Sequence, residues 1–255
     1  MSSFPLTASA LAVLTTASVA LSACAGPSAP HQVATPLAYV TATTTAQTTP
    51  AATFPRPTGS STDLAATATG GNAAVYDHPG GHLLERLVNP IPAGAPLTFL
   101  VVTDQSQWLK VDLAQRPNGS TGWVKASSVS LHRLLYRLRV STETNTLTLL
   151  RGATVVRTFP VATGTGGTPT PHGSFYITEL LAPVNRGYGP YAFGLSAFST
   201  ALSSFGGGPG QIGIHGTDDA ASIGKSASHG SIRLHNTDIT TLAKTLPLGT
   251  PVVIA

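Results

Sequence analysis

Apolar positions along the chain change spacing twice. Leu11 to Ala23 form a single short apolar stretch of Ala, Val and Leu, diluted by Thr15, Thr16 and Ser18. From Ala25 to about Gly70 large apolar residues nearly vanish, and Ala, Thr, Pro and Ser dominate, as in Thr41-Ala42-Thr43-Thr44-Thr45-Ala46. Beyond Asn72 short apolar runs return: Ala74-Val75-Tyr76, Pro96 to Val102, Trp108-Leu109-Lys110-Val111 and Gly122-Trp123-Val124. From about Arg133 the runs continue with Leu147-Thr148-Leu149-Leu150 and Thr154-Val155-Val156-Arg157, joined by a turn at Gly152. Alternation of period two with Gly, Asn and Pro between runs predicts strands rather than helices. The expectation is a mainly β protein, with a small antiparallel barrel over residues 71–131 and a mixed, mostly β domain over residues 133–255.

Trp108-Leu109-Lys110-Val111, the turn at Pro117-Asn118-Gly119 and Gly122-Trp123-Val124-Lys125 stand in an order that resembles the bacterial SH3-like module of wall proteins. Trp108 and Trp123 are expected to fill the barrel core, with stacking on a ligand as the alternative. The segment before it, residues 24–70, cannot bury enough surface to offset its ordering entropy and is expected to be a disordered tether. A flexible coil of that length spans roughly 35–40 Å.

The apolar stretch at residues 11–23 is shorter than the about 20 residues a membrane span needs. It ends in Leu21-Ser22-Ala23-Cys24, which resembles a bacterial lipobox, so residues 1–23 are expected to be a lipoprotein signal peptide and Cys24 the lipidated residue. No Lys or Arg lies between Met1 and Cys24, so the charged start usual for such a signal is lacking. Cys24 is the single cysteine, which excludes an internal disulfide and a thiolate metal cluster. Charged residues make up 9% of the chain, as in an exported protein. The formal charge of +4 comes from scattered basic residues without the run that neutralises phosphates, so nucleic acid is not an expected partner. Gly164-Thr165-Gly166-Gly167 is followed by no Lys, which removes a phosphate loop.

Two stretches carry candidate chemistry: Ile214-His215-Gly216-Thr217, and Ala227-Ser228-His229-Gly230-Ser231-Ile232-Arg233-Leu234. With Thr168-Pro169-Thr170-Pro171 and Ser222-Ile223-Gly224-Lys225 they resemble the L,D-transpeptidase signature, in which His-Gly is followed by Ser-His-Gly-Cys-Ile-Arg. The departure is Ser231 where the family keeps its nucleophilic cysteine. The resemblance implies a mixed β-sandwich with short helices after the SH3-like barrel. It also implies acyl transfer between peptidoglycan stem peptides, giving 3–3 cross-links during cell wall biogenesis. It makes Ser231 the nucleophile, His229 the base and Gly230 part of the oxyanion loop, with His215, Gly216, Ser228, Arg233 and Asn236 lining or supporting the substrate groove.

The residue types suit that chemistry. Attack on an amide carbonyl needs a nucleophile, a base within about 2.6–3.2 Å and donors aimed at the developing oxyanion. A thiol with a pKa of about 8.5 is readily drawn to thiolate, whereas a serine hydroxyl must lose its proton during attack. Three readings follow from Ser231: a serine acyltransferase, an inactive relative that binds wall peptide, or an engineered replacement of an original cysteine. A zinc site from His215, His229 and His235 is a weaker alternative, and neither cofactor nor metal is called for. The expected location is the outer face of the cytoplasmic membrane and the cell wall, with stem peptides as partner and a lipid anchor on Cys24.

Overall fold

The computed structural model describes residues 63–255 together with the backbone of Thr35–Pro36. The lipobox-like segment, Cys24 and most of the expected tether lie outside the described residues. In chain order the strands are β1 (Thr35–Pro36), β2 (Leu64–Ala68), β3 (Ala73–Tyr76), β4 (Leu83–Leu87), β5 (Thr98–Gln105), β6 (Trp108–Asp112), β7 (Thr121–Lys125) and β8 (Val129–Arg133). Then come β9 (Tyr136–Ser141), β10 (Thr146–Arg151), β11 (Thr154–Pro160), β12 (Thr163–Gly164), β13 (Gly173–Ala182), β14 (Ala192–Phe198), β15 (Gln211–His215), β16 (Ser226–Ser228) and β17 (Ile232–Arg233). Among the described residues one α-helix, α1 (Asn236–Ala243), precedes the last strand, β18 (Pro251–Ile254). The chain is therefore mainly β, as its alternation predicts.

The first seven-stranded sheet runs β4-β3-β7-β6-β5-β2-β8, antiparallel throughout. Its core takes Leu109 and Val111 of β6, Val124 of β7, and Phe99 and Val101 of β5. Successive side chains of a strand point to opposite faces. Trp108 and Trp123 consequently fall on the outer phase, half-buried, and do not enter the core as expected. Trp108 instead meets the ring of Tyr76 edge-on, with centroids 5.1 Å apart.

Strand β2 begins at Leu64, inside the stretch expected to be tether. Its composition, Leu-Ala-Ala-Thr-Ala, is that of a linker, yet four of its five residues are buried between β5 and β8. A strand flanked on both sides satisfies its backbone completely, and small side chains let neighbouring layers close on it.

The second sheet runs β11-β10-β9-β18-β13-β14-β15-β17, with β1 also on β13. Strand β13 changes partner along its length: Gly173 to Tyr176 pair with β18, and Ile177 to Leu181 with β14, the register shifting between Ile177 and Glu179. Leu138, Phe159, Ile177, Phe193, Ile214, Ile232 and Leu234 fill the core. Ile239 and Leu242 bury the inner face of α1 in the same core. This helix is rich in threonine, and the Thr240 and Thr241 hydroxyls donate back to the carbonyls of Asn236 and Thr237 at 2.7 and 3.0 Å. Arg157 pairs with Asp238 in its first turn at 2.8 Å.

The two sheets meet through a small cluster of Ala65, Leu100, Leu134 and Tyr176. The Tyr176 hydroxyl donates to the carbonyl of Asp112 at 3.2 Å. Gly249 packs so closely here that a Cβ on it would lie 2.5 Å from Cβ of Ala65, which is why this face of β2 carries only a methyl group.

Candidate active site

Strands β15 and β17 are parallel neighbours, Ile214 opposite Ile232 and His215 opposite Arg233. The two isoleucines are fully buried in the core, so the alternating positions Gly213, His215 and Arg233 face the other way. Ser231, just before β17, joins that outer face: the backbone N–H of Gly213 donates to its Oγ at 3.2 Å. A Cβ on Gly213 would stand 3.8 Å from both Cδ2 of His215 and Oγ of Ser231. The missing side chain thus leaves a gap bordered by imidazole and hydroxyl.

His215 is 4% exposed. Its Nδ1 lies 2.6 Å from the carbonyl oxygen of Gly216. A carbonyl only accepts, so Nδ1 carries the proton and Nε2 keeps its lone pair. Burial lowers its pKa to about 4, opposed by the bond to Gly216 and assisted by the charge of Arg233. The imidazole is therefore neutral at physiological pH. Tyr188 covers its other side, ring centroids 4.7 Å apart. The Asn236 side chain fixes the turn that follows β15, its Oδ1 accepting from the N–H of Thr217 at 3.0 Å. A Cβ on Gly216 or Gly189 would overlap that oxygen, so both close approaches need glycine.

The loop before Ser231 is held from within. The Ser228 hydroxyl donates to the carbonyl of Ser231 at 2.5 Å and accepts from the N–H of Gly230 at 3.0 Å. Thr170 reaches across from the Thr168-Pro169-Thr170-Pro171 segment, donating to the carbonyl of Gly230 at 2.8 Å while accepting from the N–H of Gly164 at 2.8 Å. Gly230 has φ +115°, a conformation side chains rarely adopt. Because the Gly230 N–H is engaged by Ser228, the Ser231 N–H is the remaining candidate of that pair for an oxyanion.

His229 takes part in none of these hydrogen bonds. It is exposed, and its ring stacks on Phe205, centroids 5.3 Å apart and planes at 27°. Arg233 lies beside His215 in register, its Nη1 4.0 Å from Asp219. Among the described residues no group of three His, Cys, Asp or Glu side chains is arranged to hold a metal ion. Sequence reasoning assigned no role to Gly213, Tyr188 or Phe205. Of these, Phe205 carries the one readable signal: it is a lone aromatic beside the glycine run Gly206-Gly207-Gly208, in the loop joining β14 to β15.

The parallel β15/β17 edge thus brings a buried neutral histidine and a hydroxyl to one face of the sheet. Residues 135–254 match the family model of the L,D-transpeptidase catalytic domain, YkuD. YkuD of Bacillus subtilis (strain 168), provisionally named an L,D-transpeptidase, is 40% identical over 119 residues, covering 47% of this chain and 65% of the relative. YqjB of the same organism, named in the same way, is 34% identical over 129 residues, covering 45% of this chain and 68% of the relative. A solved L,D-transpeptidase from Mycobacterium smegmatis is 17% identical, covering 60% of this chain and 79% of that one, with a TM-score of 0.40. The chain belongs to the L,D-transpeptidase catalytic domain family. It spans 65% of the length of its YkuD relatives from two Bacillus species.

Proposed function

We propose that this chain is a peptidoglycan acyltransferase of the L,D-transpeptidase type, with Ser231 as nucleophile and His215 as base. The observation that carries the reading is the neutral, buried His215, its Nδ1 committed to Gly216, on the same face as Ser231 across the gap at Gly213. In the first step Ser231 Oγ attacks the carbonyl carbon of the L-centre before the terminal D-residue of a donor stem, and its proton passes to Nε2 of His215. The C–N bond then breaks, the amine leaves with that proton, and an ester joins the stem to Ser231. An acceptor stem amine attacks the ester, gives its proton to His215, and the serine alkoxide recovers a proton as it leaves. The Ser231 N–H is suited to the oxyanion, and Arg233 to a substrate carboxylate. The roles of the two histidines thus differ from the sequence expectation: exposed His229 becomes a wall of the groove. The SH3-like reading of the N-terminal sheet and the lipid anchor on Cys24, at the outer face of the cytoplasmic membrane, belong to the same proposal. Cys24→Ser is expected to release the protein from membranes.

A wall-binding protein without turnover is the second reading. It is favoured by the hydroxyl in place of a thiol, and by a carbonyl rather than a carboxylate at His215 Nδ1. Intact-protein mass spectrometry after incubation with a tetrapeptide stem decides between them. An ester adduct on Ser231 supports the enzyme, and binding without an adduct supports the wall-binding protein.

A further inference from the structure

The loop of residues 199–210, between β14 and β15, is attached to the N-terminal sheet by two side chains of the β6–β7 connection. Asn118 grips the end of β14 in both directions: its Nδ2 donates to the carbonyl of Phe198 at 2.8 Å, and its Oδ1 accepts from the N–H of Phe198 at 2.9 Å. Arg116 donates to three carbonyls, those of Ser199 at 2.8 Å, Leu202 at 2.9 Å and Pro209 at 3.1 Å. Its guanidinium also lies 5.3 Å from the ring centroid of Phe198. A planar fork of charged donors meets several carbonyls at once, which an ammonium cannot reproduce. The loop's two ends are tied by the Ser199 N–H to the carbonyl of Gly210 at 2.8 Å. Arg116 therefore fixes a closed loop at both its entry and its exit.

What that loop presents is Phe205. The tip is a small hairpin, Phe205 and Gly208 exchanging backbone hydrogen bonds at 3.0 Å. Phe205 is 46% exposed, an unusual position for a phenyl ring, and its covered side lies on His229. A Cβ on Gly206 would come within 3.8 Å of the Tyr188 hydroxyl, so the tip also approaches the residue that covers His215. Positive φ at Gly206, Gly207 and Gly210 lets the loop take this path but supplies no side chain to hold it. Its hold on the N-terminal sheet comes from Arg116 and Asn118.

We propose that Arg116 and Asn118 are positioning residues of the active site, clamping the 199–210 loop so that Phe205 and His229 form one wall of the stem-peptide groove. This rests on the groove assigned under the proposed function. The N-terminal sheet is then part of the site's construction. Removing the clamp leaves the nucleophile and base in place and loosens the wall.

The test reads the clamp without requiring turnover. In the full chain, the ring protons of His229 are shifted in the NMR spectrum by the stacked Phe205, and Phe205→Leu identifies that shift by abolishing it. Arg116→Ala and Asn118→Ala are each expected to move the His229 signals toward the Phe205→Leu position, and Arg116→Lys to behave like Arg116→Ala. Where one alanine variant fails to fold, Arg116→Gln and the remaining variant carry the comparison. Binding of a tetrapeptide stem, measured by calorimetry, is expected to weaken by about ten- to a hundredfold. Unchanged His229 signals in the folded variants overturn the clamp. Shifted signals with wild-type binding overturn its positioning role. Should the wild type itself not bind the tetrapeptide, the proposed function fails, while the His229 signals still decide the clamp.

Discussion

The N–H of Gly213 donates to Oγ of Ser231 at 3.2 Å, joining β15 to the segment that enters β17. The hydroxyl oxygen is thus oriented by backbone, and its own proton remains to be donated. His215 is two residues further along β15, so one strand supplies both the donor that aligns the nucleophile and the proposed base that receives its proton. The apolar residues between them, Ile214 and Ile232, lock the two strands into the core, so the geometry is inherited from packing.

Replacing Ser231 tests what that alignment achieves. A thiol ionises far more readily than a hydroxyl, so Ser231→Cys is expected to raise acylation by a tetrapeptide stem by orders of magnitude. Ser231→Ala is expected to abolish the adduct and retain binding. Intact-protein mass spectrometry reads the first effect and calorimetry the second. A folded Cys variant that stays unacylated would show that the groove has lost more than sulfur.

The two histidines are separable. His215→Ala is expected to reduce acylation by about 10²–10⁴-fold, the usual scale of general-base assistance. His229→Ala is expected to weaken stem binding and leave the acyl-transfer step less affected. Burial holds the His215 pKa at about 4, below its ordinary value of 6.5. Its neutral form is therefore kept as pH falls to about 4; the stability tied to that form is fully present above 6.5 and is lost as pH falls through the lower value. Titration of the His215 ring by NMR checks this directly; protonation near 6.5 would remove it as a buried base.

Much of this fold is legible because alternation reports burial. Leu109, Val111 and Val124 announce strands and face the core as period two requires. Strand β2 is not legible, since Ala65, Ala66 and Thr67 have a linker's composition and acquire their burial from β5, β8 and the contact at Gly249. Both histidines precede a glycine in sequence, and what distinguishes them is tertiary: His215 is buried with Nδ1 on the Gly216 carbonyl, whereas His229 is exposed and stacked on Phe205. Arg116 and Asn118 act on residues 80 or more positions further along the chain, a pairing no local pattern encodes.

Gly230 joins the nucleophile loop to its support. With φ +115° and a would-be Cβ 3.0 Å from Cδ1 of Ile212, Gly230→Ala imposes backbone strain and a contact together. The expected loss is about 1–3 kcal/mol of unfolding free energy, the scale of a residue held in a sparsely populated backbone region. Denaturant titration measures it. Thr170→Val, which removes the hydrogen bond to the Gly230 carbonyl, is expected to destabilise the same loop, because a buried acceptor is left without that donor.

Asp112 stands where the two sheets meet, its carbonyl accepting from Tyr176 and its carboxyl partly buried. Burial raises the carboxyl pKa to about 6 from an ordinary 3.8, with Lys110 opposing the shift. The folded state therefore prefers the neutral acid. The associated stability is fully present below 3.8 and is lost as pH rises through about 6, because the charged form is then held in a poorly solvated place. Asp112→Asn keeps the shape and stays neutral at every pH. Its melting temperature is expected to exceed that of the wild type above pH 6, with the difference shrinking as pH falls and vanishing below about 4. Other titrating groups are common to both proteins and cancel in the comparison. A difference that is flat across this range, or that grows toward acid, would mean that the Asp112 carboxyl is hydrated or paired in solution.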